Sequence, residues 1–98
     1  MSDLEPMPVV ERCECHFSGR VQGVGFRYTT RSIASRHKVT GFVQNLPDGQ
    51  VLLVVEGDRR EIDRLLSQLR GEMERNIRGE HCELRAATGE FVDFSIRH

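Results

Sequence analysis

The sequence predicts an α+β protein in which two helices cover one face of a mostly antiparallel sheet, in the order βαββαβ. Three observations predict this order: an alternating strand pattern near the start, two stretches of helical periodicity, and a turn signal between them. At 98 residues the chain is long enough for one domain with a modest core and too short for two.

The first strand and the first helix follow from the spacing of apolar side chains. Residues 9–18 place such side chains at alternate positions, the period of a half-buried strand. They are Val9, Cys13, Cys15 and Phe17. In residues 26–37 one set of side chains recurs at spacings of three and four, which places the set on a single helix face. That set is Phe26, Thr30, Ile33, Ala34 and His37.

A hairpin and a second helix are predicted next. Two apolar or branched runs, 42–46 and 51–56, are separated by the turn-forming sequence Pro47-Asp48-Gly49-Gln50. Asp58 can then cap a helix that ends near Gly71. The apolar stripe of this helix is Ile62, Leu65, Leu66 and Leu69.

The end of the chain predicts two further strands. Residues 71–79 are polar and expected to be irregular. Apolar side chains follow on both sides of a turn at Thr88-Gly89. The complete order matches a split βαβ sandwich of the ferredoxin-like kind, with a possible fifth strand. We expect residues 1–8 to be a flexible leader and residues 9–98 to form the domain.

The composition argues against several classes of partner. Hydrophobic residues make up 38% and charged residues 30% of the chain, and no apolar run approaches the roughly 20 residues of a membrane span. The net charge of −1 gives no general reason to expect nucleic acid. The N-terminus does not resemble a secretory signal. We therefore expect a cytoplasmic protein without membrane or nucleic-acid partners, acting as a monomer.

Charge is unevenly distributed, because the segment from Arg20 to Pro47 contains no Asp or Glu. Its basic residues are Arg20, Arg27, Arg31, Arg36 and Lys38. A local positive field suits a small anionic ligand. From charge alone, a solvated basic helix face is an equally good interpretation.

The three cysteines are expected to be reduced thiols, since Cys13, Cys15 and Cys82 cannot all pair within the chain. Cys13 and Cys15 are expected as small buried side chains. With His16 they lack the second ligand pair of a usual zinc site. We therefore expect no metal and no cofactor, and a structural role for Cys82.

The connection from the first strand to the first helix is rich in glycine. Gly23 and Gly25 allow positive φ and let backbone amides approach a ligand just before a helix start, where anions bind. A dinucleotide fingerprint would need glycine at Tyr28, and a P-loop would need a Gly-Lys pair that is missing. Such glycines can also simply make a tight connection. Arg27 favours phosphate, because a guanidinium can bind two oxygens at once.

Two segments resemble the signatures of the acylphosphatase family. The first is Gly19-Arg20-Val21-Gln22-Gly23-Val24-Gly25-Phe26-Arg27-Tyr28, and the second is Gly41-Phe42-Val43-Gln44-Asn45-Leu46-Pro47-Asp48-Gly49. The similarity covers roughly residues 10–70 and 89–97. It implies a strand order 4-1-3-2 with the fifth strand at the edge. Residues 71–87 depart from the family pattern, which affects the expected rim on the substrate side.

The resemblance also implies a function and residue roles. The substrate would be a small acyl phosphate, hydrolysed without metal or cofactor to a carboxylate and inorganic phosphate. Arg27 would hold the phosphate and Asn45 would orient the attacking water. The phosphate would also contact the backbone amides of Gln22, Gly23, Val24, Gly25 and Phe26.

Other interpretations were weighed against this one. Asp48 and Glu56 could act as general bases, but they occupy positions typical of a turn and a strand end. His37 and His81 are more typical of packing or capping residues than of catalytic ones. An RNA-recognition module is disfavoured because the third predicted strand, residues 50–56, lacks exposed aromatic side chains. A phosphate-sensing domain without turnover remains the alternative.

Overall fold

The structure is a computed structural model that describes residues 9–98. The predicted flexible leader, residues 1–8, lies outside the described residues. The elements in chain order are β1 (Val10–Gly19), α1 (Phe26–Ala34), β2 (Val39–Asn45), β3 (Val51–Asp58), α2 (Arg59–Glu72), β4 (Ile77–Ala86) and β5 (Phe94–Arg97).

The five strands form one sheet in the order β4-β1-β3-β2-β5. Neighbouring strands are antiparallel, except that β5 pairs parallel to β2. This confirms the α+β ferredoxin-like sandwich, the strand order 4-1-3-2 and the fifth strand at the edge. The register pairs Gln44 of β2 with Arg97 of β5, so both strands end at the same edge of the molecule.

The core lies between the two helices and one face of the sheet. Alternate residues of β1 point to this face, and its side chains Cys13, Cys15 and Phe17 are buried. The predicted stripe of α2 is buried against it, as are the apolar side chains of α1. The rings of Phe17 and Phe26, on β1 and α1, have centroids 5.3 Å apart. This packing fixes the start of α1 relative to the end of β1.

Some predicted boundaries were wrong. The first helix ends at Ala34 instead of residue 37, and a tight turn follows in which the His37 amide donates to the Ala34 carbonyl over 3.1 Å. The last long strand begins at Ile77, inside the segment expected to be irregular, because Ile77 pairs with Gly19 of β1. The third strand continues past Glu56 to Asp58.

The expectation that all cysteines are reduced thiols was wrong. Cys15 and Cys82 are joined by a disulfide, and Cys13 is free and buried. The register places Cys15 of β1 directly opposite Cys82 of β4, with 4.1 Å between their Cα atoms. The two residues are 67 positions apart, so their pairing depends on a strand register that the sequence pattern leaves open.

The face of the sheet away from the helices carries a buried ion pair. The Arg12 Nε donates to the Glu56 carboxylate over 2.7 Å, and the backbone amides of Thr88 and Gly89 donate to it over 3.0 Å each. Burial would raise the pKa of Glu56, but these bonds prevail and lower it to about 2. The pair ties the connection between β4 and β5 to the sheet.

Neither helix within residues 9–98 combines the length and the apolar composition that crossing a membrane requires.

Candidate active site

The loop between β1 and α1, residues 20–25, adopts a conformation that requires glycine at two positions. Gly23 and Gly25 have φ values of 75° and 79°, in the left-handed region. No atom outside the neighbouring residues would lie within 4 Å of a Cβ added at either glycine. The glycines therefore serve backbone conformation and not close packing.

The first turn of α1 is not capped by a side chain. Gly25 is the N-cap residue, and no acidic side chain lies in the first turn. Helical hydrogen bonding starts with the Thr29 amide, which donates to the Gly25 carbonyl over 2.9 Å. The preceding amides of the first turn thus lack intrahelical partners, and the helix dipole adds positive potential there. This arrangement is suited to an anion.

Gln22 joins this loop to the β2–β3 hairpin. Its side-chain Nε2 donates to the carbonyl oxygens of Leu46 and Gln50, both over 2.8 Å. The family resemblance implies a role only for the backbone amide of Gln22. Its side-chain role could not be predicted, because both acceptors are backbone atoms of a segment more than 20 residues away.

Asn45 is the last residue of β2 and precedes Leu46. Its Oδ1 is buried and has no hydrogen-bond partner among the described residues. A buried carbonyl oxygen without a partner is unfavourable by about 1–3 kcal/mol, so such an atom is a natural acceptor for water or a ligand.

A small cavity brings the predicted site residues together. Its volume is about 120 Å³, enough for a group of a few heavy atoms, since a water occupies roughly 30 Å³ in the liquid. The lining residues are Val21, Gly23, Gly25, Phe26, Arg27, Tyr28 and Asn45. Arg27 is the cation among them, and this set contains no carboxylate. The residues thus come from both of the sequence segments that carry the resemblance.

Gln22 and Val24, two of the residues predicted to contact phosphate, do not line this cavity. The Gln22 side chain points to the hairpin, and the Val24 side chain is 39% exposed. Their predicted contacts involve backbone amides, so the position of their side chains leaves that prediction untested.

Arg27 reaches the cavity from the first turn of α1. One of its terminal nitrogens, Nη1, lies 3.3 Å from the Arg97 carbonyl oxygen, to which it donates, and 3.4 Å from His98 Nδ1. Arg97 is the last residue of β5 and His98 follows it. Arg97 pairs with Gln44 of β2, the residue before Asn45. A guanidinium has five N–H donors, so this contact leaves others for a ligand. The sequence offered no signal for the contact with residues 97 and 98.

The other residues weighed as candidates are held by structural contacts. The Asp48 carboxylate accepts from the Gln50 amide over 3.0 Å within the turn, and Glu56 is occupied by the ion pair with Arg12. His37 contacts Gln68 of α2 over 3.3 Å. None of these side chains lines the small cavity.

Comparison with known proteins decides the family. The sequence model of the family Acylphosphatase matches residues 13–96. The chain belongs to the acylphosphatase family. It is 41% identical over 88 residues to an acylphosphatase of Methylococcus capsulatus, an alignment that covers 89% of this chain and 96% of that protein.

Solved structures support the same assignment. The crystal structure of acylphosphatase from Bacillus subtilis superimposes on 90% of this chain and 99% of its own, with a TM-score of 0.81 and 25% identity. A second match lies inside a larger protein, full-length HypF in its phosphate- and nucleotide-bound form. There the TM-score is 0.78 at 26% identity, covering 95% of this chain and 12% of that one. The acylphosphatase fold therefore accounts for nearly all of the described chain.

Proposed function

We propose that this acylphosphatase-family chain hydrolyses small acyl phosphates to a carboxylate and inorganic phosphate. The observation that carries the proposal is the cavity lined by Arg27, by the uncapped start of α1 and by Asn45, whose buried Oδ1 has no hydrogen-bond partner among the described residues. Arg27 and the start of α1 would supply donors for a phosphate, and Asn45 would supply an acceptor for water.

Binding of the phosphate would use positive charge and backbone donors. The Arg27 guanidinium can donate two parallel hydrogen bonds to phosphate oxygens. The loop amides of residues 22–26, at the helix start, would contact the remaining oxygens. Because these groups are positioned before the substrate arrives, they can stabilise the charge on the equatorial oxygens in the transition state.

Attack by water would be directed by Asn45. Its Oδ1 can accept a hydrogen bond from water and its Nδ2 can donate one, so the carboxamide can hold a water in line with the bond to be broken. Asn is not a base at neutral pH. We propose that the phosphate itself finally takes the proton from the attacking water.

The leaving group explains why so few residues would suffice. Cleavage releases a carboxylate, which is stable without protonation, so no general acid is required. The residues that line the cavity include no acid and no cluster with metal-ligand character. We therefore propose that the reaction needs neither a metal ion nor another cofactor.

The acyl portion would extend from the cavity along its rim. Tyr28 lines the small cavity and also a wider open groove of about 550 Å³ between α1 and β5. On the other side, the Arg20 amide donates to the Asn76 carbonyl over 2.9 Å, so the atypical segment 71–79 lies against the start of the loop. Both features are positioned to affect which acyl groups are accepted.

A monomer would be sufficient for this chemistry, because one chain supplies every residue of the proposed site. A cytoplasmic location stays a prediction. The Cys15–Cys82 disulfide does not favour it, since disulfides are rare in cytoplasmic proteins.

The direct test of the proposed function is hydrolysis of benzoyl phosphate by the oxidised protein, with and without a chelator. We expect turnover that the chelator does not change. A protein that binds inorganic phosphate but shows no turnover would instead be a phosphate-sensing domain. Inhibition by the chelator that a divalent ion reverses would contradict the metal-free mechanism.

A further inference from the structure

Three sulfur atoms lie close together in the core, outside the small cavity. The Sγ atoms of Cys13, Cys15 and Cys82 all lie within 4.8 Å of one another. Cys13 Sγ is 3.5 Å from Cys15 Sγ. In the sequence, the Cys-x-Cys pair lacks the second ligand pair of a usual zinc site. The structure supplies a third sulfur from β4.

The sheet itself holds these side chains together. Cys13 and Cys15 are two residues apart on β1 and therefore face the same side. Cys82 lies opposite Cys15 in a register that runs from Glu11–Ala86 to Ser18–Gly79. Reduction of the disulfide breaks one S–S bond and leaves this ladder of backbone hydrogen bonds in place. The reduced protein therefore presents three neighbouring thiols.

A carboxylate next to the sulfurs offers a fourth ligand. Glu80 is two residues before Cys82 on the same face of β4, and its Oε2 lies 3.6 Å from Cys82 Sγ. Arg70 of α2 donates from Nε to both carboxylate oxygens of Glu80 over 2.9 Å. A carboxylate has about four lone-pair positions, so it can keep Arg70 and also bind a metal ion.

Two of the six separations among these four ligand atoms already suit tetrahedral zinc. With Zn–S bonds of about 2.3 Å and a Zn–O bond of about 2.1 Å, neighbouring sulfurs lie about 3.8 Å apart and sulfur and oxygen about 3.6 Å apart. The measured separations are 3.5 Å for Cys13–Cys15 and 3.6 Å for Cys82–Glu80. Zinc binding also requires Cys15 and Cys82 to move apart once their bond is broken.

Charge and access also favour zinc. Three thiolates and one carboxylate carry four negative charges against two on the ion, and the Arg70 guanidinium beside Glu80 offsets part of the excess. Thiolates select zinc and cuprous ions, and the carboxylate favours zinc of the two. Cys13 and Cys15 are buried, whereas Cys82 is half-buried and leaves a route for entry.

We propose that the reduced protein binds one zinc ion through Cys13, Cys15, Cys82 and Glu80, and that the Cys15–Cys82 disulfide abolishes this site. Zinc binding displaces the thiol protons to solvent. Formation of the disulfide removes two electrons and two protons from Cys15 and Cys82, which a small-molecule disulfide accepts as it becomes two thiols. Zinc binding and the disulfide are then alternative states of the same cluster.

Cobalt is the probe for this site, because thiolate ligation of Co²⁺ gives charge-transfer absorption. Under anaerobic conditions with a phosphine reductant, we expect one Co²⁺ per chain with that absorption, displaced by stoichiometric Zn²⁺. The oxidised protein should show neither. Cys13→Ser should still form the disulfide but, when reduced, bind zinc about a hundredfold more weakly or worse. Glu80→Gln should keep the absorption and weaken binding about tenfold.

A pair of histidines provides the control for cobalt binding elsewhere on the sheet. His16 and His81 lie opposite each other on the other face of the sheet, so His81→Asn should leave the cobalt spectrum unchanged. Should circular dichroism show that Cys13→Ser does not fold, Cys82→Ser at the half-buried position serves in its place with the same expected loss. Equal cobalt absorption in oxidised and reduced protein, or in Cys13→Ser and wild type, would overturn the proposal. Absence of thiolate absorption in the reduced wild type would also overturn it.

Discussion

The side chain of Gln22 donates to the backbone carbonyl of Leu46, the residue directly after Asn45, over 2.8 Å. A second bond of the same length runs from Gln22 to the Gln50 carbonyl. The loop proposed to bind phosphate is thereby attached to the hairpin proposed to orient water. Gln22 thus contributes to the relative position of Arg27 and Asn45 through a side chain that need not touch the substrate.

Replacing Gln22 by Met tests this attachment, since Met has a similar length and no donor. We expect turnover of benzoyl phosphate to fall about tenfold, because loss of two hydrogen bonds allows the loop and hairpin to move apart. Steady-state kinetics measures the effect, and Gln44→Met in β2 is the matched control. Wild-type turnover in Gln22→Met would show that backbone contacts alone position the two segments.

Thermal unfolding tests whether Arg27 is the clamp that holds the phosphate. Inorganic phosphate should raise the melting temperature of the wild type, because a ligand that binds only the folded loop stabilises it by mass action. Arg27→Ala should lose most of this shift, and Arg27→Lys should recover little, since an ammonium cannot reproduce the two parallel bonds.

Arg31→Ala is the control for this experiment. Arg31 lies one turn further along α1, over the ring of Tyr28 at 5.2 Å, and does not line the small cavity. Its removal should leave most of the phosphate-induced shift. If Arg31→Ala lost the shift and Arg27→Ala kept it, the clamp would be assigned to the wrong arginine.

The ion pair of Arg12 and Glu56 predicts a dependence of stability on pH. The pKa of Glu56 is lowered from 4.5 to about 2, so the charged carboxylate stabilises the fold by about 3 kcal/mol above pH 4.5. This contribution is lost as the pH falls from about 4.5 towards 2. Glu56→Gln should therefore be destabilised near pH 7 by a few kcal/mol, and the difference from wild type should shrink in acid.

Urea unfolding at several pH values measures this difference. Glu90→Gln is the control, because Glu90 also contacts Arg12 but is 57% exposed and should matter far less. A constant difference between Glu56→Gln and wild type from pH 7 to pH 3 would contradict the assigned pKa.

The disulfide predicts a dependence on redox conditions. It closes a loop between residues 67 positions apart, so its reduction in the presence of a chelator should lower the free energy of unfolding by about 2–4 kcal/mol. The double variant Cys15→Ser/Cys82→Ser should not respond to reductant. Thiol titration of the unfolded, unreduced wild type should find one free cysteine, and three would show that the disulfide does not form.

The sequence predicted the elements with clear periodicity and failed where partners are distant. The stripe of α2 and the Pro47–Gln50 turn are local patterns, and both are present as predicted. The pairing of Cys15 with Cys82 and the attachment of Gln22 to Leu46 depend on strand register and on a loop meeting a hairpin. Such contacts leave no local pattern, so the sequence could name the candidate residues but not these relationships.

In the proposed mechanism Arg27 binds the phosphate and Asn45 orients the water, and kinetics of one variant can separate the two roles. The measurement is the turnover number together with the inhibition constant for phosphate in Asn45→Ala, with circular dichroism to confirm folding. We expect turnover to fall by about a hundredfold or more while phosphate inhibition stays near that of the wild type. A folded Asn45→Ala protein with near-normal turnover would contradict the role of Asn45 in orienting water, and loss of phosphate inhibition would place Asn45 in phosphate binding instead.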